Sequence, residues 1–111
     1  MTLPTNKFGG FLAWDFIMLD KLEQEIKRLA RHTAILKFVI GHGPIGIIKL
    51  SELSGFLQHR VRYSLRVLEQ HSLIKPSPQG AVATPKGKEF MKTLGENVEN
   101  LRRSLLDLGS C

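Results

Sequence analysis

The chain predicts a mostly α-helical fold, in which two short helices and a small two-stranded hairpin are framed by long N- and C-terminal helices. Three observations carry this. Residues 50–74 (LSELSGFLQHRVRYSLRVLEQHSLI) read as two helices joined by a tight turn. The PSPQG run that follows is a hairpin signal, and TPKG after it is a helix start. Apolar residues recur at helical spacing at both ends of the chain. This order of elements is that of a winged helix-turn-helix.

The elements follow in order. Residues 1–10 (MTLPTNKFGG) have no hydrophobic period and are expected to be an arm. A long helix is expected over residues 12–31. Phe16, Leu19, Leu22, Ile26 and Leu29 form its stripe, and Trp14, Ile17 and Met18 widen it. A helix with this much apolar surface needs cover on more than one side. Residues 11–19 faintly resemble a signal peptide, but Asp15 interrupts the run, Asp20 ends it, and no small-residue cleavage site follows. The run is also far short of the ~20 apolar residues of a spanning helix. It is read as the start of a buried helix in a soluble chain, with no membrane partner.

The helix-turn-helix core is expected over residues 34–84. Thr33 either caps a further helix over residues 34–40, or that segment continues the first helix with a kink. Gly41, Gly43, Pro44 and Gly46 stop it. The first helix of the motif covers residues 47–54, with Leu50 inward. Gly55 ends it in a left-handed conformation, and Phe56 plugs the turn into the core. The second helix covers residues 58–71. Val61, Leu65 and Leu68 face inward, while Gln58, His59, Arg62, Tyr63 and Arg66 face outward, with Arg60 near the edge. A strand starts at Leu73-Ile74, residues 76–80 form the hairpin tip, and residues 81–83 return.

Thr84 caps the last helix, with Pro85 at its first position, where the missing N–H costs nothing. That helix is expected over residues 85–108. Leu94, Val98, Leu101, Leu105 and Leu108 are spaced 4, 3, 4 and 3, a coiled-coil period over two heptads. A single domain spanning residues 1–111 accommodates all of these elements.

Charge is unevenly placed. The chain carries a formal net charge of +6. Residues 58–85 hold Arg60, Arg62, Arg66 and Lys75 against Glu69 alone, a net of +3. The other three stretches, residues 1–31, 32–57 and 86–111, are +1 each. Half the excess therefore lies in the second helix and wing, the electrostatic footprint of a polyanion partner.

Other chemistries find little support. The one cysteine, Cys111, excludes an intramolecular disulfide and a cysteine-based metal site, and weakly favours a reducing, cytoplasmic setting. No two of His32, His42, His59 and His71 have the i, i+4 spacing of a helical metal site. No nucleophile elbow, phosphate-cradling glycine loop or paired-carboxylate motif is present. The pattern argues against an enzyme, and neither a cofactor nor a small-molecule effector is indicated.

The run KLSELSGFLQHRVRYSLRVLEQHSLI…TPKGKEF resembles the winged-helix regulators of the MarR, ArsR and PadR families, and small archaeal winged-helix proteins that dimerise through a long terminal helix. The resemblance covers residues 34–90. Leu50, Gly55, Val61, Leu65, Leu68, Glu69, Leu73 and Ile74 match the pattern, as do Thr84, Pro85, Lys86 and Gly87. It implies a homodimeric, double-stranded-DNA-binding transcription regulator, cytoplasmic and associated with the nucleoid. Three departures stand out. Leu57 replaces a capping serine or threonine, Ser72 replaces a glycine, and the wing tip has no arginine.

In this motif the second helix enters the major groove and its N-terminal half reaches base edges. Arg60, Arg62 and Arg66 are the leading DNA contacts, because arginine reads guanine bidentately or holds phosphate. Arg62 and Tyr63 are placed for bases and Arg66 for phosphate, with Gln58 and His59 as further candidates. Lys75, Gln79 and Lys86 flank the wing. Trp14, Phe16, Leu19, Leu22 and Ile26, with Leu94, Val98, Leu101, Leu105 and Leu108, form the expected homodimer interface. A winged helix used for protein contact, or one that binds DNA without sequence preference, is the alternative.

Overall fold

The computed structural model describes residues 10–109, and side chains from residue 16 onward. Residues 1–9 of the arm expected over residues 1–10, and the side chain of Trp14, lie outside what is described, and Gly10 is already helical. The element order is α1 (Gly10–His42), α2 (Ile47–Ser54), α3 (Gln58–Gln70), β1 (Ile74–Ser77), β2 (Gly80–Ala83) and α4 (Pro85–Gly109).

Packing divides the chain into two units, one ending at Arg31 and the other starting at His32. In the first, Phe16, Ile17, Met18, Leu19, Leu22, Ile26 and Leu29 are all exposed. The reading of residues 11–19 as the start of a buried helix is therefore corrected at residues 16–19 for the single chain. No second helix starts at Thr33, because α1 is unbroken from Gly10 to His42. Residues 31–40 contain neither glycine nor proline to stop it.

The second unit holds the core. Ile35, Leu36 and Val39 of α1 pack with Ile45, Leu50, Val61, Leu68, Leu73 and Ile74. Phe56 and Leu65 pack partly against this cluster. Fully burying a side chain such as Leu50 contributes about 1.5–3 kcal/mol, so these nine residues dominate the stability of the unit.

The turn between α2 and α3 is locally determined. Gly55 has φ 80°, and its N–H bonds to the Ser51 carbonyl at 2.9 Å. Ser51 Oγ donates to the Phe56 carbonyl at 2.6 Å, and Phe56 N–H donates to Ser54 Oγ at 3.2 Å. Helix α3 begins after Leu57 with no side-chain cap, as that departure in the sequence implies. Its other end is a Schellman motif. Leu73 N–H bonds to the Leu68 carbonyl and Ser72 N–H to the Glu69 carbonyl, both at 2.9 Å, and Ser72 takes φ 62°.

The hairpin is tighter than expected. Strands β1 and β2 pair antiparallel, with Ile74 opposite Ala83 and Ser77 opposite Gly80. Only Pro78 and Gln79 remain in the turn, so the tip expected over residues 76–80 is corrected to two residues. Proline is tolerated at position 76 because Ala81, opposite it, gives both backbone groups to Ile45, at 2.8 and 3.1 Å. This bridge to Ile45 forms a third edge of the wing. It also requires glycine at position 80, where φ is 132° and a Cβ would overlap the Ile45 backbone.

Candidate nucleic-acid interface

Helix α3 sorts its residues by angle. Val61, Ser64 and Leu68 are buried and Leu65 is half-buried, so one side is committed to the core. Gln58, His59, Arg60, Arg62, Tyr63 and Arg66 are exposed. His59, Tyr63 and Arg66 lie at i, i+4 and i+7 and share one outward stripe. Arg62 lies beside that stripe on the side facing the hairpin, and Arg60 on the opposite flank.

The arginines of α3 differ from those elsewhere in their partners. Arg28 is held by Glu25, Arg102 by Glu99 at 2.7 Å, and Arg103 lies 3.8 Å from Glu99. Among the described residues Arg60, Arg62 and Arg66 form no ion pair. Their charge is therefore available to a ligand rather than neutralised within the chain.

Between α3 and the hairpin runs an open groove of about 350 Å³. Arg62, Arg66 and Glu69 line one wall, Pro76, Ser77, Gly80 and Ala81 the other, with Ile47 and Leu65 in the floor. The groove brings two cations and one carboxylate to the same trough. Ser77 Oγ donates to the Gly80 carbonyl at 2.6 Å, which stiffens the hairpin wall.

The remaining candidates are more scattered. Lys75 is exposed on β1 and Lys86 on the first turn of α4. Gln79 does not join the arginine groove. It lines a separate hollow with His42, Gly46, Lys49 and Leu53. Among the described residues no group of three His, Cys, Asp or Glu side chains is arranged to hold a metal.

Sequence reasoning missed His32, which it weighed only as a metal ligand. Its Nδ1 lies 2.8 Å from Ser64 Oγ, and its ring centroid is 5.7 Å from that of Tyr63. The missed signal was Ser64 itself, a hydroxyl inside the apolar stripe of α3 that needs a partner when buried.

The apolar stripe of α4 is largely open in the single chain. Leu94 is half-buried, while Val98, Leu101, Leu105 and Leu108 are exposed, as is Leu106. Gly87 is the only buried residue of that helix. No helix among the described residues is long and apolar enough to cross a membrane.

A helix-turn-helix with an antiparallel hairpin beside its second helix, and a long helix on each flank, is the winged helix-turn-helix fold used by MarR-type regulators. Among solved structures the chain is similar to Staphylococcus aureus MarR in complex with salicylate and kanamycin. The likeness has a TM-score of 0.52 at 18% sequence identity, and covers 96% of this chain and 82% of that one. At that identity the shared property is the fold. No protein-family model matches the chain.

Proposed function

We propose that the protein is a DNA-binding transcription regulator that acts as a homodimer, with α3 in the major groove and the hairpin beside it. The observation that carries this is the set of three arginines on α3 with no carboxylate partner, two of which line the groove next to the wing. A phosphodiester backbone fits such a trough, because Arg66 on one wall neutralises it while the hairpin wall fixes its path. Arg62 and Tyr63, with Gln58 and His59 toward the start of the helix, then face the base edges. Lys75, Gln79 and Lys86 supply outlying backbone contacts.

Dimerisation follows from exposed apolar surface. The stripe of Phe16, Leu19, Leu22 and Ile26, and that of Val98, Leu101, Leu105 and Leu108, are larger than scattered surface leucines. A second copy covers them symmetrically and presents two recognition helices to one DNA face. The half-sites are then inverted repeats one helical turn apart, roughly 34–36 Å. A cytoplasmic, nucleoid-bound location goes with this role.

Salt titration of duplex binding tests the reading. With six or more phosphates neutralised per dimer, log K falls against log salt with a slope near −5 or steeper, at roughly −0.9 per phosphate. A flat response, or no binding of any duplex at low salt, rejects it. Equal affinity for all duplexes would instead indicate a sequence-indifferent chromatin protein.

A further inference from the structure

We infer that His32 is a positioning residue for α3, bracing Tyr63 in the orientation in which it meets DNA. The DNA part rests on the function proposed above; the bracing itself does not.

Ser64 is completely buried, and it is the one buried polar side chain among the described residues. It sits in the apolar stripe of Val61, Leu65 and Leu68. Its hydroxyl is satisfied by His32 Nδ1 at 2.8 Å, across 32 residues of sequence. The same imidazole packs on the next residue back, with ring centroids 5.7 Å apart and planes inclined at 48°. One side chain therefore grips two consecutive positions of α3. Consecutive helical residues point about 100° apart, at 3.6 residues per turn. Holding both opposes rotation of the helix about its own axis, and the ring contact by itself sets the orientation of Tyr63. Rotation is the variable that decides which residues face outward.

Tyr63 is 45% exposed. Its ring is braced by His32, and it lies on the stripe that also carries His59 and Arg66. A ring already held in place loses less freedom on binding than one that must be ordered by the ligand. His32 thus acts on recognition through Tyr63, without itself needing to touch DNA.

The chain contains one tyrosine, so its ring signals in an NMR spectrum are unambiguous. The unaltered protein is expected to show a nuclear Overhauser effect between the Tyr63 ring and the His32 imidazole; its absence overturns the inference. His32→Asn then separates the two contacts. The asparagine amide takes the place of Nδ1 and keeps the bond to Ser64, but has no ring to set against Tyr63. This variant is expected to lose about fivefold in base discrimination, at the same base pair that Tyr63→Ala affects. Its salt slope should not change, because no phosphate contact is removed. Parental base preference at every position in a folded His32→Asn overturns the inference. Should that variant not fold, His32→Phe keeps the ring and drops the bond. It is expected to retain the parental preference, and loss of that preference would equally overturn the proposal. A clear inter-ring signal in a protein that binds no duplex would reject the DNA reading and leave the bracing intact.

Discussion

The hydroxyl of Thr84 donates a hydrogen bond to the carbonyl of Ser72 at 2.7 Å. The same oxygen accepts from the Gly87 N–H at 3.0 Å, which makes Thr84 the N-cap of α4. Thr84 N–H also bonds to the Leu73 carbonyl at 3.1 Å. One residue therefore clasps the end of α3 to the start of α4, with the whole hairpin looped between them.

Thr84→Ala removes the cap and the hydroxyl's bond to Ser72, and leaves the backbone bond to Leu73. A lost N-cap costs about 0.5–2 kcal/mol, and the second hydrogen bond about 0.5–1.5 kcal/mol. The expected loss is about 1–3 kcal/mol, read from urea unfolding with an unchanged m-value. Thr84→Ser should recover most of it. A variant as stable as the parent would show that water replaces both bonds.

Ser72→Gly is expected to stabilise the fold. Ser72 holds φ 62° at the left-handed position of the Schellman motif, a conformation that costs a residue with a Cβ about 1–2 kcal/mol. The greater freedom of glycine in the unfolded chain offsets about 0.5–1 kcal/mol of that relief. A net gain of about 0.5–1 kcal/mol should appear as a higher urea midpoint. A lower midpoint would mean that the serine side chain contributes more than its backbone strain removes.

Arg62 and Arg66 line the same groove, yet they should fail differently. Arg62 is nearer the N-terminal end of α3, the end that reaches bases in this motif. Its replacement by alanine should cost about 1–3 kcal/mol on a preferred site and relax base choice. Arg66→Ala should weaken all duplexes alike and make the salt slope shallower by about one unit. Selection on randomised duplexes separates the two. If the Arg62 variant selects the parental sequence, Arg62 is a phosphate contact.

Leu101 is 58% exposed in the single chain, so Leu101→Asp should leave the protomer fold intact. In a dimer that buries this stripe it places a carboxylate from each copy in an apolar seam, at a cost of several kcal/mol. Sedimentation at micromolar concentration should then show a dimeric parent and a monomeric variant. A parent that sediments as a monomer would remove both the dimer and the expectation of inverted-repeat sites.

Glu99 titrates below the usual carboxylate range, because Arg102 hydrogen-bonds its charged form. A lowered value means that this contribution to the helix is present above the unfolded pKa and is lost as pH falls through the folded one. An NMR titration should show the Glu99 carboxyl returning to its ordinary value in Arg102→Gln. Both side chains are open to solvent, so salt should weaken the effect. An unchanged Glu99 titration in that variant would assign the shift to another source.

Much of this architecture is written in local pattern. The apolar period of Val61, Leu65 and Leu68 sets the inner face of α3, and thereby the outward arginines. Gly55 marks the turn because a left-handed residue is cheapest as glycine. Thr84 and Pro85 mark the start of α4 because an uncapped helix leaves N–H groups without partners. These are short-range requirements, and a sequence states them within a few residues.

What tertiary structure decided is everything that depends on a distant partner. Pro76 and Ser77 read as turn residues, yet they sit in a strand because Ile45, more than thirty residues earlier, takes both backbone groups of Ala81. Ser72 reads as a departure from a glycine, yet the Leu73–Leu68 and Ser72–Glu69 bonds hold it left-handed. His32 reads as an isolated histidine on a long helix. Only the fold brings it to Ser64 and Tyr63, because complementarity between a buried hydroxyl and an imidazole nitrogen has no period in sequence. Local chemistry determined which elements form and which side chains α3 turns outward. The packing of α1 against α3 and of Ile45 against the hairpin decided how those side chains are held, since hydrogen bonds and ring contacts act through space over a few ångströms, irrespective of separation along the chain.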